Sequence, residues 1–130
     1  MKEQQNYYEN KLRYEIDSWD LYESLNRGDK IVVIDARSND SYNVEHIPDS
    51  LNIPHREMNE ENTKNLDRDS LYVTYCDGIG CNASTKGALN MVKLGFKTKE
   101  LIGGLDWWKR DGYETHGEKA RTGKEIKCGC

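Results

Sequence analysis

At 130 residues the chain is long enough to bury one ordinary hydrophobic core and too short for two independent ones. Its 19 Lys and Arg against 23 Asp and Glu give a net charge of -4, so it lacks the overall basic field that draws proteins to nucleic acid or anionic membranes. No stretch approaches the roughly 18 apolar residues of a membrane span, and Met1 to Lys11 is polar and charged, without the apolar centre of an export signal. A cytoplasmic protein is therefore expected, with neither nucleic acid nor membrane as a partner. The four cysteines in a chain without an export signal favour thiol chemistry or a metal site over a disulfide framework.

In chain order, residues 1–13 read as a polar extension, and Tyr14-Glu15-Ile16 can add an edge strand. Ser18 can cap a helix whose Leu21, Tyr22 and Leu25 form one apolar stripe, with Gly28 as its stop. Ile31 to Ile34 is an unbroken β-branched run ending at Asp35, which suits a strand covered on both faces. Leu71 to Tyr75 is a second such strand, and Lys99 to Ile102 a shorter third before Gly103-Gly104. Asn82 or Ser84 can cap a helix placing Ala88, Leu89 and Val92 on one face and ending near Gly95, and Leu105 to Arg110 fits a short last helix. Residues 117–130, polar and without periodicity, read as a flexible tail carrying Cys128-Gly129-Cys130. Strands that alternate with helices predict a three-layer α/β domain with a mainly parallel central sheet, whose ligands gather beyond the C-terminal strand ends. Asp35 and Cys76 both stand there.

The most informative stretch is Cys76-Asp77-Gly78-Ile79-Gly80-Cys81-Asn82, which leaves a strand, turns through two glycines and enters a helix. Glycine admits left-handed or tight conformations that aim successive backbone N–H groups inward, and a helix start adds unpaired donors and the positive end of its dipole. A thiol with an ordinary pKa near ~8.5 can fall to about 3.5–7.5 in such a place, which makes Cys76 a candidate nucleophile; the plain alternative is an inert buried thiol.

Asp35-Ala36-Arg37, His46-Ile47-Pro48, Asn52-Ile53-Pro54, Tyr75-Cys76, and Gly103-Gly104 with Trp108 and Gly112-Tyr113 follow one another in the order and spacing of the rhodanese family, which the chain resembles over about residues 14 to 115. The resemblance implies a rhodanese fold and a sulfurtransferase that needs no cofactor. In it Cys76 takes sulfane sulfur as a persulfide from thiosulfate, a polysulfide or a low-molecular-weight persulfide, and passes it to cyanide, a small thiol or a protein thiol. It also implies that Asp77, Gly78, Ile79, Gly80, Cys81 and Asn82 form the loop whose amides surround that sulfur, that Asp35 hydrogen-bonds structurally, and that Arg37 sits at the surface or the edge of the site.

Three positions depart from the family pattern. The loop is longer than its commonest form, and the acidic Asp77 follows the cysteine where many members are basic, which raises a thiolate's pKa and repels anionic donors. Asn82 stands six residues after Cys76, where related phosphate- and arsenate-binding folds place an Arg clamp, so an arsenate reductase or phosphatase is disfavoured. Cys81 can attack a Cys76 persulfide or sulfenate and close a disulfide, or simply pack at the helix start. Cys128 and Cys130 can relay sulfur or form a redox pair, whereas the spacing of the four cysteines argues against a zinc site. His46 reads as a structural residue, and a cysteine hydrolase built on His55 or His116 ranks last. One of Trp107 and Trp108 is expected to enter the core, while Trp107 can border the cleft. The rival of another class is a binding module of the same fold that holds a partner segment without turnover.

Overall fold

The computed structural model describes residues 1 to 122. In order come α1 (Lys2–Tyr14), β1 (Glu15–Ile16), α2 (Ser18–Asn26), β2 (Ile31–Asp35), α3 (Asn39–Val44) and β3 (Leu51–Asn52). A 3-10 turn (His55–Glu57), α4 (Glu60–Thr63), β4 (Leu71–Tyr75), α5 (Ala83–Lys93), β5 (Thr98–Leu101) and α6 (Gly104–Arg110) follow. The strands form one sheet in the order β1-β5-β4-β2-β3, with every pairing parallel. Among the described residues, no helix is long and apolar enough to cross a membrane.

Strand residues alternate between two cores, as the period of 2 requires. Val33, Val73 and Tyr75 pack with Leu21 of α2 and Leu105 and Trp108 of α6. Ile34 and Tyr72 face the other way, toward Met91 of α5 and Phe96. Leu21, Ile34 and Met91 are fully buried, each worth about 1.5–3 kcal/mol relative to exposure. Across β2 and β4, Asp35 pairs with Tyr75, so the two strands end level and the chain leaves both at the same rim.

Several local expectations change. The residue that caps α2 is Asp17, whose carboxylate accepts from the Asp20 amide at 2.8 Å; Ser18 lies inside the helix and its hydroxyl donates to Asp111 at 2.9 Å. Asn82 occupies the N-cap position of α5 without a side-chain cap bond, and the Ser84 hydroxyl donates to Glu100 at 2.7 Å. The buried face of α5 is Ser84, Gly87 and Met91, while Leu89 and Val92 are exposed. Small residues win this face because the helix lies close to its neighbours: a Cβ on Gly87 would sit 3.1 Å from both Ala36 Cβ and Met58 Cε. Leu89 and Val92 instead line a shallow groove with Tyr7 and Tyr14 of α1.

The polar extension is helical, with side-chain pairs Gln5–Glu9 and Lys11–Glu15 at i,i+4 spacing and no buried residue. At the other end, Glu118 and Lys119 donate backbone bonds to Asn43 and Val44, so the start of the segment read as a tail is tied to α3. Cys128 and Cys130 lie outside the described residues.

Candidate active site

The loops leaving β2, β3 and β4 enclose a cleft of about 450 Å³, lined by Ala36, Arg37, Ser41, His55, Arg56, Cys76, Asp77 and Cys81, among others. Cys76 stands at its floor, 2% exposed, one residue beyond β4. Its carbonyl accepts from the Leu105 amide at 2.9 Å, and the Asp77 carbonyl accepts from the Asp106 amide at 2.8 Å, so the start of α6 holds the base of the loop. This explains Gly103-Gly104. Both take positive φ, and a Cβ on Gly104 would collide with the Cys76 carbonyl oxygen. Gly78 allows a second close approach, its Cβ position lying 3.3 Å from Asp106 Cβ.

Neither Gly78 nor Gly80 has positive φ, so the left-handed turn expected inside the loop falls just outside it, at the start of α6. The apex is open, with Ile79 82% exposed and nothing within 4 Å of a Cβ on Gly80. Cys81 donates its amide to the Gly78 carbonyl at 3.2 Å, which folds the chain back on itself. The amides of Asp77, Gly78, Ile79 and Gly80 find no acceptor among the described residues.

That fold-back brings Cys81 to Cys76. The two are joined by a disulfide, with Cα atoms 6.2 Å apart. Cys81, at the mouth of α5, is the more accessible partner.

Arg37 organises the adjacent wall. Its side chain is 8% exposed, and its Nε and Nη2 donate to Asp35, which is fully buried, at 2.7 to 3.2 Å. Nη2 also donates to the Glu45 carbonyl, and Nη1 donates to Asp77 at 2.9 Å. Burial opposes the charge of Arg37, but the hydrogen bonds and charge of Asp35, with Asp77 beyond them, hold its pKa above the ordinary value. Of the two placements open to Arg37, the surface and the edge of the site, the structure has the edge of the site, with the guanidinium drawn inward because Asp35 needs a cation. Asp77 is not an isolated charge beside the sulfur, since this arginine pairs with it. Asn52 donates to the carbonyls of Asp35 and Arg37 at 3.2 and 3.0 Å, fixing the turn after β2.

A family model for the rhodanese-like domain matches residues 18–111. The chain belongs to the rhodanese-like domain family. It is 33% identical over 96 residues to the thiosulfate sulfurtransferase GlpE of Coxiella burnetii, a match covering 72% of this chain and 82% of that protein. Among solved structures, the BH2092 protein of Bacillus halodurans superposes with a TM-score of 0.87 at 38% identity, over 92% of this chain and 88% of that one. A rhodanese-related protein of Thermoplasma volcanium gives 0.68 at 29% identity, over 79% and 97% of the two chains.

Within this rhodanese-like domain the other recurring residues are architectural. Ile47 is fully buried, and its amide donates to the Tyr75 hydroxyl at 3.1 Å. His46 stacks on Tyr42, with ring centroids 3.8 Å apart, and its Nδ1 lies 2.7 Å from the Tyr42 carbonyl. Its backbone pairs with His116, so neither histidine enters the cleft. Trp108 is buried and its indole donates to the Glu114 carbonyl at 2.9 Å; Trp107 is exposed and outside the cleft.

His55 is what sequence reasoning placed least well. It lines the cleft, and burial, then the charges of Lys86 and Arg56, lower its pKa below the ordinary value, leaving a neutral imidazole at pH 7. Arg56 beside it is an exposed cation at the mouth. The available signal was topological: both follow β3, and ligands in parallel sheets gather at C-terminal strand ends. A two-residue strand gave no periodicity from which to place them.

Proposed function

We propose that this rhodanese-like domain is a sulfurtransferase acting through Cys76, with residues 14–116 as the working unit in the cytoplasm. In the dithiol form the Cys76 thiolate attacks the sulfane sulfur of a donor. With thiosulfate the S–S bond breaks and sulfite leaves with the electron pair, so Cys76 gains one sulfur atom as a persulfide. An acceptor thiolate or cyanide then takes the outer sulfur, and Cys76 returns as thiolate.

The observation that carries this reading is the position of Cys76. It is a buried sulfur on the cleft floor at the end of a central strand, beside a run of loop amides free to face an anion and ahead of the α5 N-terminus. The likeness to a thiosulfate sulfurtransferase supports it. Asp77 and Glu57 at the cleft offset Arg37 and Arg56, so the cleft lacks the net positive charge that would favour the dianion thiosulfate. Asn82 leaves the loop without the guanidinium that an arsenate reductase or phosphatase would use.

The test is intact-mass analysis of the prereduced protein and of Cys76→Ser after exposure to thiosulfate, polysulfide and glutathione persulfide. Uptake of one sulfur atom by the protein, lost in Cys76→Ser with circular dichroism unchanged, is expected. A folded, reduced protein that takes sulfur from none of the donors, or a Cys76→Ser variant that turns over normally, sinks the assignment in favour of a binding module.

A further inference from the structure

The disulfide raises a question that transfer to an outside acceptor does not answer: what a second cysteine does within bonding reach of the sulfur carrier. We propose that Cys81 is a resolving cysteine that turns the domain into a sulfane-sulfur reductase, releasing the transferred sulfur as hydrosulfide. This rests on the Cys76 persulfide chemistry proposed above.

The step balances without an added oxidant. Cys76 enters carrying an outer sulfur as –Sγ–SH. The Cys81 thiolate attacks Sγ of Cys76, the Sγ–Sγ bond forms, and the bond to the outer sulfur breaks, that sulfur leaving with the electron pair and its proton as HS⁻. The sulfane sulfur is reduced to sulfide, and the two cysteine sulfurs are oxidised to the disulfide seen here. Regeneration needs a dithiol reductant, such as a protein with a paired-cysteine motif. Its thiolate attacks one sulfur, and its second thiol resolves the mixed disulfide.

Three features of the loop fit this use. The Cα separation of 6.2 Å lies inside the roughly 4.4–6.8 Å span that a disulfide bridges, so this loop backbone accommodates the closed form. The base is pinned to α6 through Leu105 and Asp106, whereas the apex around Ile79 and Gly80 is free of packing, which lets the Cys81 end move against a fixed Cys76. Burial then gives the order of reduction. Cys76 is 2% exposed and Cys81 is half-buried, so an incoming dithiol reaches the Cys81 sulfur first and expels Cys76 as the thiolate ready for the next donor. A tethered neighbour acts at an effective concentration of millimolar or more, enough to compete with free thiol acceptors.

The decisive experiment is a single turnover, under anaerobic conditions, of the full-length prereduced protein with glutathione persulfide and no other reductant. The wild type is expected to release one sulfide per chain and to end two hydrogen atoms lighter than its reduced form, with peptide mapping placing the bond between Cys76 and Cys81. Cys81→Ser is expected to gain one sulfur atom, keep it, and release at least tenfold less sulfide. If wild type and Cys81→Ser hold the persulfide equally and release no sulfide, or if the new disulfide joins Cys128 to Cys130, the resolving role is wrong while sulfur acceptance stands. If neither takes up sulfur although circular dichroism shows both folded, the sulfurtransferase reading fails and the resolving role fails with it.

Discussion

Replacing Arg37 by Ala should be the most costly single change at the site, and its cost follows from burial. Asp35 is completely buried, and the Arg37 guanidinium supplies three of the side-chain hydrogen bonds to its carboxylate. Removing one partner of a buried pair leaves an uncompensated charge and typically costs 3–5 kcal/mol, whereas the bond to the exposed Asp77 adds only about 0.2–1 kcal/mol. Against the 5–15 kcal/mol of a typical domain, Arg37→Ala should lose about 3–5 kcal/mol, read from urea unfolding as a lower midpoint with an unchanged m-value. Arg37→Lys should fall between, since an ammonium cannot span both carboxylate oxygens. A loss below about 1 kcal/mol would refute the view that Arg37 exists chiefly to neutralise Asp35.

Two further outcomes are expected. Asp77 has a side chain 70% exposed and is paired with Arg37 Nη1, so Asp77→Asn should change stability by no more than about 1 kcal/mol while lowering the KM for thiosulfate up to about fivefold, as steady-state kinetics would show. Burial opposes ionisation of Glu45, but hydrogen bonds from Thr115 and Lys109 and the charges of Lys109 and Arg121 outweigh it and lower its pKa below the ordinary 4.5. Its contribution is therefore complete above pH 4.5 and disappears as pH falls through the folded value, and Glu45→Gln should flatten that part of the stability profile in urea unfolding between about pH 6 and 3.

The parts of the fold legible in sequence are those with a strong periodic or continuous signal. Ile31 to Ile34 and Leu71 to Tyr75 are β-branched and aromatic runs, and their ends place Asp35 and Cys76 on one rim. The family model and the matching structures agree with the rhodanese reading made from the spaced motifs. The illegible elements are short or polar: α3 is Asn-Asp-Ser-Tyr-Asn-Val with a Ser38 cap, and β3 has two residues. Helix α1 has no buried residue, so no apolar stripe announced it. The face of α5 was misread for another reason, since Leu89 and Val92 fit an apolar stripe but close packing on Ala36 and Met58 selects Gly87. At the site, the bond from Arg37 to Asp77 spans 40 residues, and His55 reaches the cleft by topology alone; local pattern contains neither. The Cys76–Cys81 link lay among the alternatives because five residues is a reach a turn can close, but only the fold-back at Gly78 decides that it closes.

A persulfide carrier and a dithiol are opposed uses of one cysteine, and the loop bears on how they are reconciled. A carrier gains from a rigid cradle, because amides held around a persulfide anion lengthen its life. A resolving thiol gains from a loop that yields, because its sulfur must reach the back of the carrier's Sγ. Anchoring at α6 fixes Cys76 and Asp77, while the open apex leaves the Cys81 end free to approach. The Arg37–Asp77 bond adds to this division: it ties the residue after Cys76 to the buried Asp35 and so stiffens the fixed half alone. Lengthening the loop with a cysteine at its far end would then change the outcome without disturbing the carrier. On the proposed chemistry, sulfur accepted at the strand end would leave as free sulfide, or pass to an acceptor that arrives before the loop closes.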